Sequence, residues 1–230
     1  MGWKKLLVCL ALIAGASAHA EPPALVEQAL QTMDAVSIDD WFFTETTVTG
    51  EATTVKRHDP TRPEGQRWTL VSVDGREPTD EEREKAAREQ APAEEDDAEE
   101  EDEGEIRAMI DTESLTLIEE TAAHATYRFR PVAEDEDDAK LFDHVDATLR
   151  VSKADAYVES LEMRSREPFS PGFGVKVKEF AMALTFAPVG SDAIVLPETV
   201  RIRMAGRAFL VKKIDETVVV TYSDYRRSAD

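Results

Sequence analysis

Phe180-Ala-Met-Ala-Leu-Thr-Phe186 decides the fold. In an extended chain Phe180, Met182, Leu184 and Phe186 share one face, and Ala181, Ala183 and Thr185 share the other. A helix would scatter the four large residues around its surface, so the stretch reads as a strand with one face to bury. Working outward, Val200-Arg-Ile-Arg-Met204 alternates in the same way. Phe209 to Ile214 and Thr217 to Tyr222 read as two further strands, with turns expected at Val189-Gly190-Ser191 and Ala205-Gly206. Upstream, Leu115–Thr121 and Ala125–Arg130 read as a hairpin, followed by strands at Ala147–Ser152 and Tyr157–Ser165, then a turn at Ser170-Pro171-Gly172. In the hairpin Tyr127 and Phe129 oppose Arg128 and Arg130.

The first third adds the helices. Behind Pro22 and Pro23, the residues Val26, Ala29, Leu30, Met33 and Val36 recur at helical spacing, which predicts an amphipathic helix over Ala24–Asp39. Trp41 to Thr54 (WFFTETTVTGEATT) is aromatic and β-branched and reads as strand, with Gly50 a turn or bulge. Arg67–Val73 is another strand, ended by the turn pair Asp74-Gly75. Thr79 with Glu82 forms a capping-box pattern for a short charged helix reaching Gln90. Strands at 10- to 15-residue spacing without intervening helices argue for an antiparallel meander. The expected fold is therefore mainly β (α+β): a curved antiparallel sheet, or half-open β-barrel, covered by the N-terminal helix and a second short helix.

Charge is lopsided. The chain has a net charge of −21, with 33% charged and 42% hydrophobic residues. That balance argues against nucleic acid and against electrostatic docking on anionic lipid. Much of it is local, in Glu94–Glu105 (EEDDAEEEDEGE) and Glu134–Asp138 (EDEDD). Neither run has the ligand–turn alternation of a calcium loop, so both are expected to be solvated surface, the first a disordered insert at about 91–106.

Lys4 and Lys5, the apolar run Leu6–Ala14 and the small residues of Gly15–Ala20 form a cleavable signal peptide over residues 1–20, with the cut expected after Ala20 or, next to it, Ala18. The run is about half the length a membrane span needs, so no stable anchor is expected. Cleavage would remove Cys9, the one cysteine, and lower the net charge from −21 to −23 by discarding Lys4 and Lys5. The expected product is a periplasmic single domain, 21–230, without disulfides.

Little in it suggests catalysis. The motifs for nucleophilic serine, zinc-protease, phosphate-loop and dinucleotide chemistry are missing. His58 reads as part of a polar loop and His124 as part of a hairpin turn. Asp143, His144 and Asp146 make a weak metal pattern, more simply read as a loop cluster. No catalytic residue, metal or cofactor is expected. The apolar inventory says more. Val26, Leu30 and Met33 on the helix could face Trp41, Phe43, Trp68, Tyr127, Phe129, Phe180, Met182, Leu184 and Phe186 on the sheet across a ligand cleft. A filled core demands the same alternation, so the residues alone leave both possibilities open.

Two stretches carry a resemblance: ALVEQALQTMDAVSIDDWFFTETTV at Ala24–Val48 and VLPETVRIRMAGRAFLVKKIDETVVVTYSDYR at Val195–Arg226. Together they resemble the LolA-like periplasmic carriers that sort outer-membrane lipoproteins, as an uncharacterised side branch. The resemblance implies a curved sheet closed by helices and an apolar cavity for acyl chains, lipids or lipidated proteins. The alternative is an envelope interaction or stress-accessory protein with a filled core, binding a protein partner.

Overall fold

The computed structural model describes residues 23–89, 107–133, 136–172, 174–191, 194–209 and 212–227. The expected signal peptide and the acidic insert lie outside them. In chain order the elements are α1 (Ala24–Asp34), β1 (Trp41–Thr49), β2 (Ala52–His58), β3 (Trp68–Val73) and α2 (Asp80–Glu89). They continue with β4 (Ile110–Glu120), β5 (His124–Pro131), α3 (Glu136–Phe142), β6 (Val145–Ser152) and β7 (Val158–Ser165). Three long strands close the chain: β8 (Val175–Val189), β9 (Ile194–Ala208) and β10 (Lys212–Arg227).

All ten strands form one antiparallel sheet in the order β3-β2-β1-β10-β9-β8-β7-β6-β5-β4. β3 and β4 are its free edges, so the sheet curves without closing into a barrel. The last strand returns to pair with the first, and the β3-to-β4 connection therefore passes from one edge to the other.

One register row crosses every strand: Leu117, Tyr127, Leu149, Leu161, Leu184, Val200, Val220, Thr47, Thr54 and Val73. Burial along it is uneven. Leu149 and Leu161 are fully buried, whereas every member from Leu184 onward is half-exposed. The reason is α1, which lies across β6, β7 and β9 and drives Val26, Ala29 and Leu30 into the core. Val26 and Leu30 each contribute roughly 2 kcal/mol, and the Ala29 methyl less than about 1 kcal/mol. Arg107 latches α1 from outside. Its guanidinium donates to both carboxylate oxygens of Glu27 at 3.1 Å and to Asp34 at 2.9 Å.

α2 packs on the opposite flank, against β3. Its capping box is formed as expected: the Thr79 amide donates to Glu82 at 2.8 Å and the Glu82 amide to the Thr79 hydroxyl at 3.3 Å. Arg76 grips the same carboxylate at 2.6 and 2.9 Å, holding the Glu82 pKa down from 4.5 to about 2. Because the folded value lies below the unfolded one, this contribution is present above pH 4.5 and fades as pH falls toward 2. In Arg76→Gln, NMR titration of the Glu82 carboxyl should move up toward its ordinary value. An unchanged midpoint would assign the depression to the helix cap alone.

Several expectations change. The Trp41–Thr54 segment is two strands, β1 and β2, turning at Gly50, whose φ of 61° a Cβ would resist. Lys212–Ile214 and Thr217–Tyr222 belong to one strand, β10, and Phe209, expected to open a strand, is in a turn; Leu210 and Val211 lie outside the described residues, and Ala205-Gly206 is strand rather than turn. Gly206 sits inside β9 because β8 passes so close that a Cβ there would clash with the Lys176 carbonyl oxygen. The second acidic run is not wholly loop: α3 begins at Glu136, and acids favour the positive end of a helix. His58 is no loop residue; it ends β2 and is buried, because strand alternation carries it to the face of Phe43. The α1 helix ends at Asp34, short of Asp39, before a 3-10 turn at Ile38–Asp40.

Candidate functional site

α1 and α2 sit toward opposite flanks, and the strip of sheet between them determines what could bind. On the α1 side the space is filled. Val26, Leu30, Tyr127, Phe129, Phe180 and Phe186 are all buried in one core cluster, with Met33, Met182 and Leu184 packed partly buried against its margin. Tyr127 rests in this apolar setting, and its hydroxyl pKa is raised by burial.

A second cluster closes one end of the strip. Trp41 and Phe43 are buried there, and Trp68 packs half-buried against them. Phe43 is its hub, stacking on His58 at 4.8 Å and meeting Trp68 edge-on at 5.2 Å. It also lies 5.9 Å from Tyr222 and 5.6 Å from Tyr225. Two tyrosines three apart reach one ring because β10 holds an extra residue against the β1 step from Phe42 to Thr44. Asp224 takes up the bulge at φ 58°. Tyr225 donates to the Pro197 carbonyl at 2.7 Å, and burial pushes its pKa well up. His58 Nδ1 lies 2.8 Å from the Trp41 carbonyl oxygen. A carbonyl only accepts, so Nδ1 carries the proton.

Between these clusters runs a trough. Its floor is Met182 and Leu184 on β8, Val200, Ile202 and Met204 on β9, and Val218 and Val220 on β10, all half-exposed. Thr47 and Thr54 continue the same face onto β1 and β2, so the floor grades from aliphatic to hydroxyl-bearing. Half-exposed aliphatics in a row, unlike a filled core, leave apolar area available to a chain-like ligand. A separate, shallow groove of about 400 Å³ lies where Thr44, Arg57, Asp224 and Arg226 surround Phe43 and Tyr225. It is open and polar-rimmed, and the Arg226 guanidinium already sits over Phe42 at 5.5 Å.

Of the expected cleft residues, Met182 and Leu184 lie on the floor, Met33 and Trp68 pack partly buried against the two core clusters, and the other eight are core. Sequence reasoning missed Ile202, Met204, Val218 and Val220. Val200–Met204 and Thr217–Tyr222 read as strand, but nothing local says which stretch of a strand a helix leaves uncovered.

The histidine–acid pattern near residue 144 does not assemble a metal centre. His144 stacks on Phe169 at 4.6 Å, and no group of three metal-capable side chains occurs among the described residues. His124 ends its hairpin against Glu159 at 3.1 Å, where Arg150 also docks.

Comparison with protein-family models, with curated proteins and with solved structures gives no match.

Proposed function

We propose that this chain is a periplasmic binding or carrier protein, not an enzyme, holding acyl chains, lipids or the lipid part of a lipoprotein. The single observation that carries the reading is the floor of the trough: a row of aliphatic side chains left half-exposed on one face of an open sheet, between two flanking helices. The open antiparallel sheet under an N-terminal helix is also the architecture that the LolA-like resemblance implies. An apolar chain laid along β8–β10 would bury surface worth about 25 cal/mol per Å², with the threonines of β1 and β2 offering hydroxyls at its polar end.

Fatty-acid and 1,8-ANS titration of the full chain and of Ile202→Glu tests this. The expected result is saturable binding that the variant weakens at least tenfold, since a carboxylate would have to be desolvated on the floor. Binding that does not saturate, or that the substitution leaves unchanged, would sink the carrier reading.

One observation favours a different function. Edge strand β4 exposes Leu117 and Ile118 on its two faces, a pairing edge for a protein partner. In that reading the filled α1 side is the whole core, and an envelope protein co-purifies with the chain but not with Ile118→Lys.

A further inference from the structure

Strands β8, β9 and β10 outrun their neighbours. β1 pairs with β10 only as far as Val218, and β7 with β8 only as far as Ala181. Beyond those points six residues of β10, Lys212 to Thr217, extend with β9 and β8 as a three-stranded tongue about 20 Å long. On the β8 side Phe169 pairs with Val177, two residues from the tip, and both side chains are buried in the main core.

The tip of that tongue departs from the rest of the surface in two ways. Phe209 is 68% exposed, the most exposed large hydrophobic residue among those described. It is held there: its φ is 49°, its amide donates to the Gly174 carbonyl at 2.6 Å, and its ring covers Gly174. A non-glycine residue is thus fixed in the left-handed region with most of its ring surface still open to solvent. The next two residues in sequence, Leu210 and Val211, are apolar as well.

Charge around the tip runs opposite to the chain's. Lys176, Arg207 and Lys213 stand in one cross-strand row, directly opposite one another. Like charges so placed repel. Of these three cations only Lys213 is paired, with Asp215, which it shares with Arg203; Arg203 also meets Glu179 nearer the base. Lys178 and Lys212 add two more cations, and these two with Lys176 and Arg207 form no ion pair with another described residue. An aromatic tip ringed by cations matches one surface chemically, the interface of an anionic bilayer, where the ring enters the headgroup layer and the cations meet phosphates.

We propose that the β9–β10 hairpin is a membrane-docking element, seating Phe209 at the headgroup level of an anionic phospholipid surface. The net charge of −21 predicts repulsion from such a surface, but screening confines charge effects to about 8 Å at physiological salt. The cations gathered around the hairpin end therefore present their own charge rather than the molecule's average. Among the described residues no helix is long and apolar enough to cross a membrane, so this contact is peripheral. Gly206 stiffens it by letting β8 and β9 close tightly. The proposal does not depend on the trough holding a ligand.

Hydrogen exchange of the full chain, with vesicles of phosphatidylcholine alone or mixed equally with phosphatidylglycerol, reads the hairpin directly. The mixed vesicles should slow exchange across the hairpin, and added salt should reverse it. Phe209→Ser should weaken vesicle binding about tenfold, and Lys212→Glu with Lys213→Glu roughly 30-fold. Ile202→Glu in the trough should leave it unchanged, which separates docking from carriage. No protection at the hairpin with anionic vesicles, or equal binding by both hairpin variants, would overturn the proposal.

Discussion

Leu161→Ala should lower the unfolding free energy by about 3 kcal/mol, while Leu184→Ala, its cross-strand partner, should cost about 1 kcal/mol. Leu161 is fully buried beneath α1, so its truncation leaves a cavity lined by aliphatic groups that cannot collapse onto it. Leu184 belongs to the same register row but is half-exposed, so water or neighbouring side chains fill the space. Urea unfolding with an unchanged m-value is the measurement. In a domain of this size the first variant should melt roughly 10 °C lower. Fatty-acid binding should show the reverse order, with Leu184→Ala the more damaging. Equal stability losses would mean that the trough is part of the core, and that the uneven burial along the row has no functional meaning.

His58→Ala should cost a similar amount, about 3 kcal/mol, for two separable reasons. The imidazole fills the space between Phe43 and Trp68, with ring centroids 4.8 and 5.0 Å away, and its Nδ1–H satisfies the buried Trp41 carbonyl. Truncation removes packing and leaves that acceptor without its donor. His58→Phe restores most of the volume but not the hydrogen bond, so it should recover about half of the loss. Thermal unfolding followed by tryptophan fluorescence reads this cluster, because Trp41 and Trp68 both belong to it. A histidine variant as stable as the parent would mean that the aromatic cluster is not needed to seat β1 on β10.

Much of the strand pattern was legible because side-chain direction in an extended chain has a period of two. Phe180–Phe186 and Val200–Met204 show it without interruption, and the capping box at Thr79 and Glu82 is a purely local hydrogen-bond pattern that formed as read. The failures share one cause. Gly206 has the local signature of a turn, yet its role is a close approach to β8, some thirty residues earlier in the chain. His58 lies next to Asp59 and Pro60 and looks like loop, but its environment is set by Trp41 and Phe43 on a neighbouring strand. The β10 bulge that turns Tyr222 and Tyr225 onto Phe43 likewise exists only through pairing with β1.

Fold class can be read along the chain, because alternation, turn chemistry and helix caps act over a few residues and leave local traces. So can the gathering of the large residues on one side of the sheet. Which of them are core and which are floor is a matter of long-range packing. That depends on where α1 comes to rest, across β6, β7 and β9, and on the pairing of β10 with β1 that opens the strip beyond it. The same holds for the hairpin. Phe209 and its neighbouring cations are plain in the sequence, but the pairing of β8, β9 and β10 is what gathers one ring and five cations at one end of a strongly acidic chain.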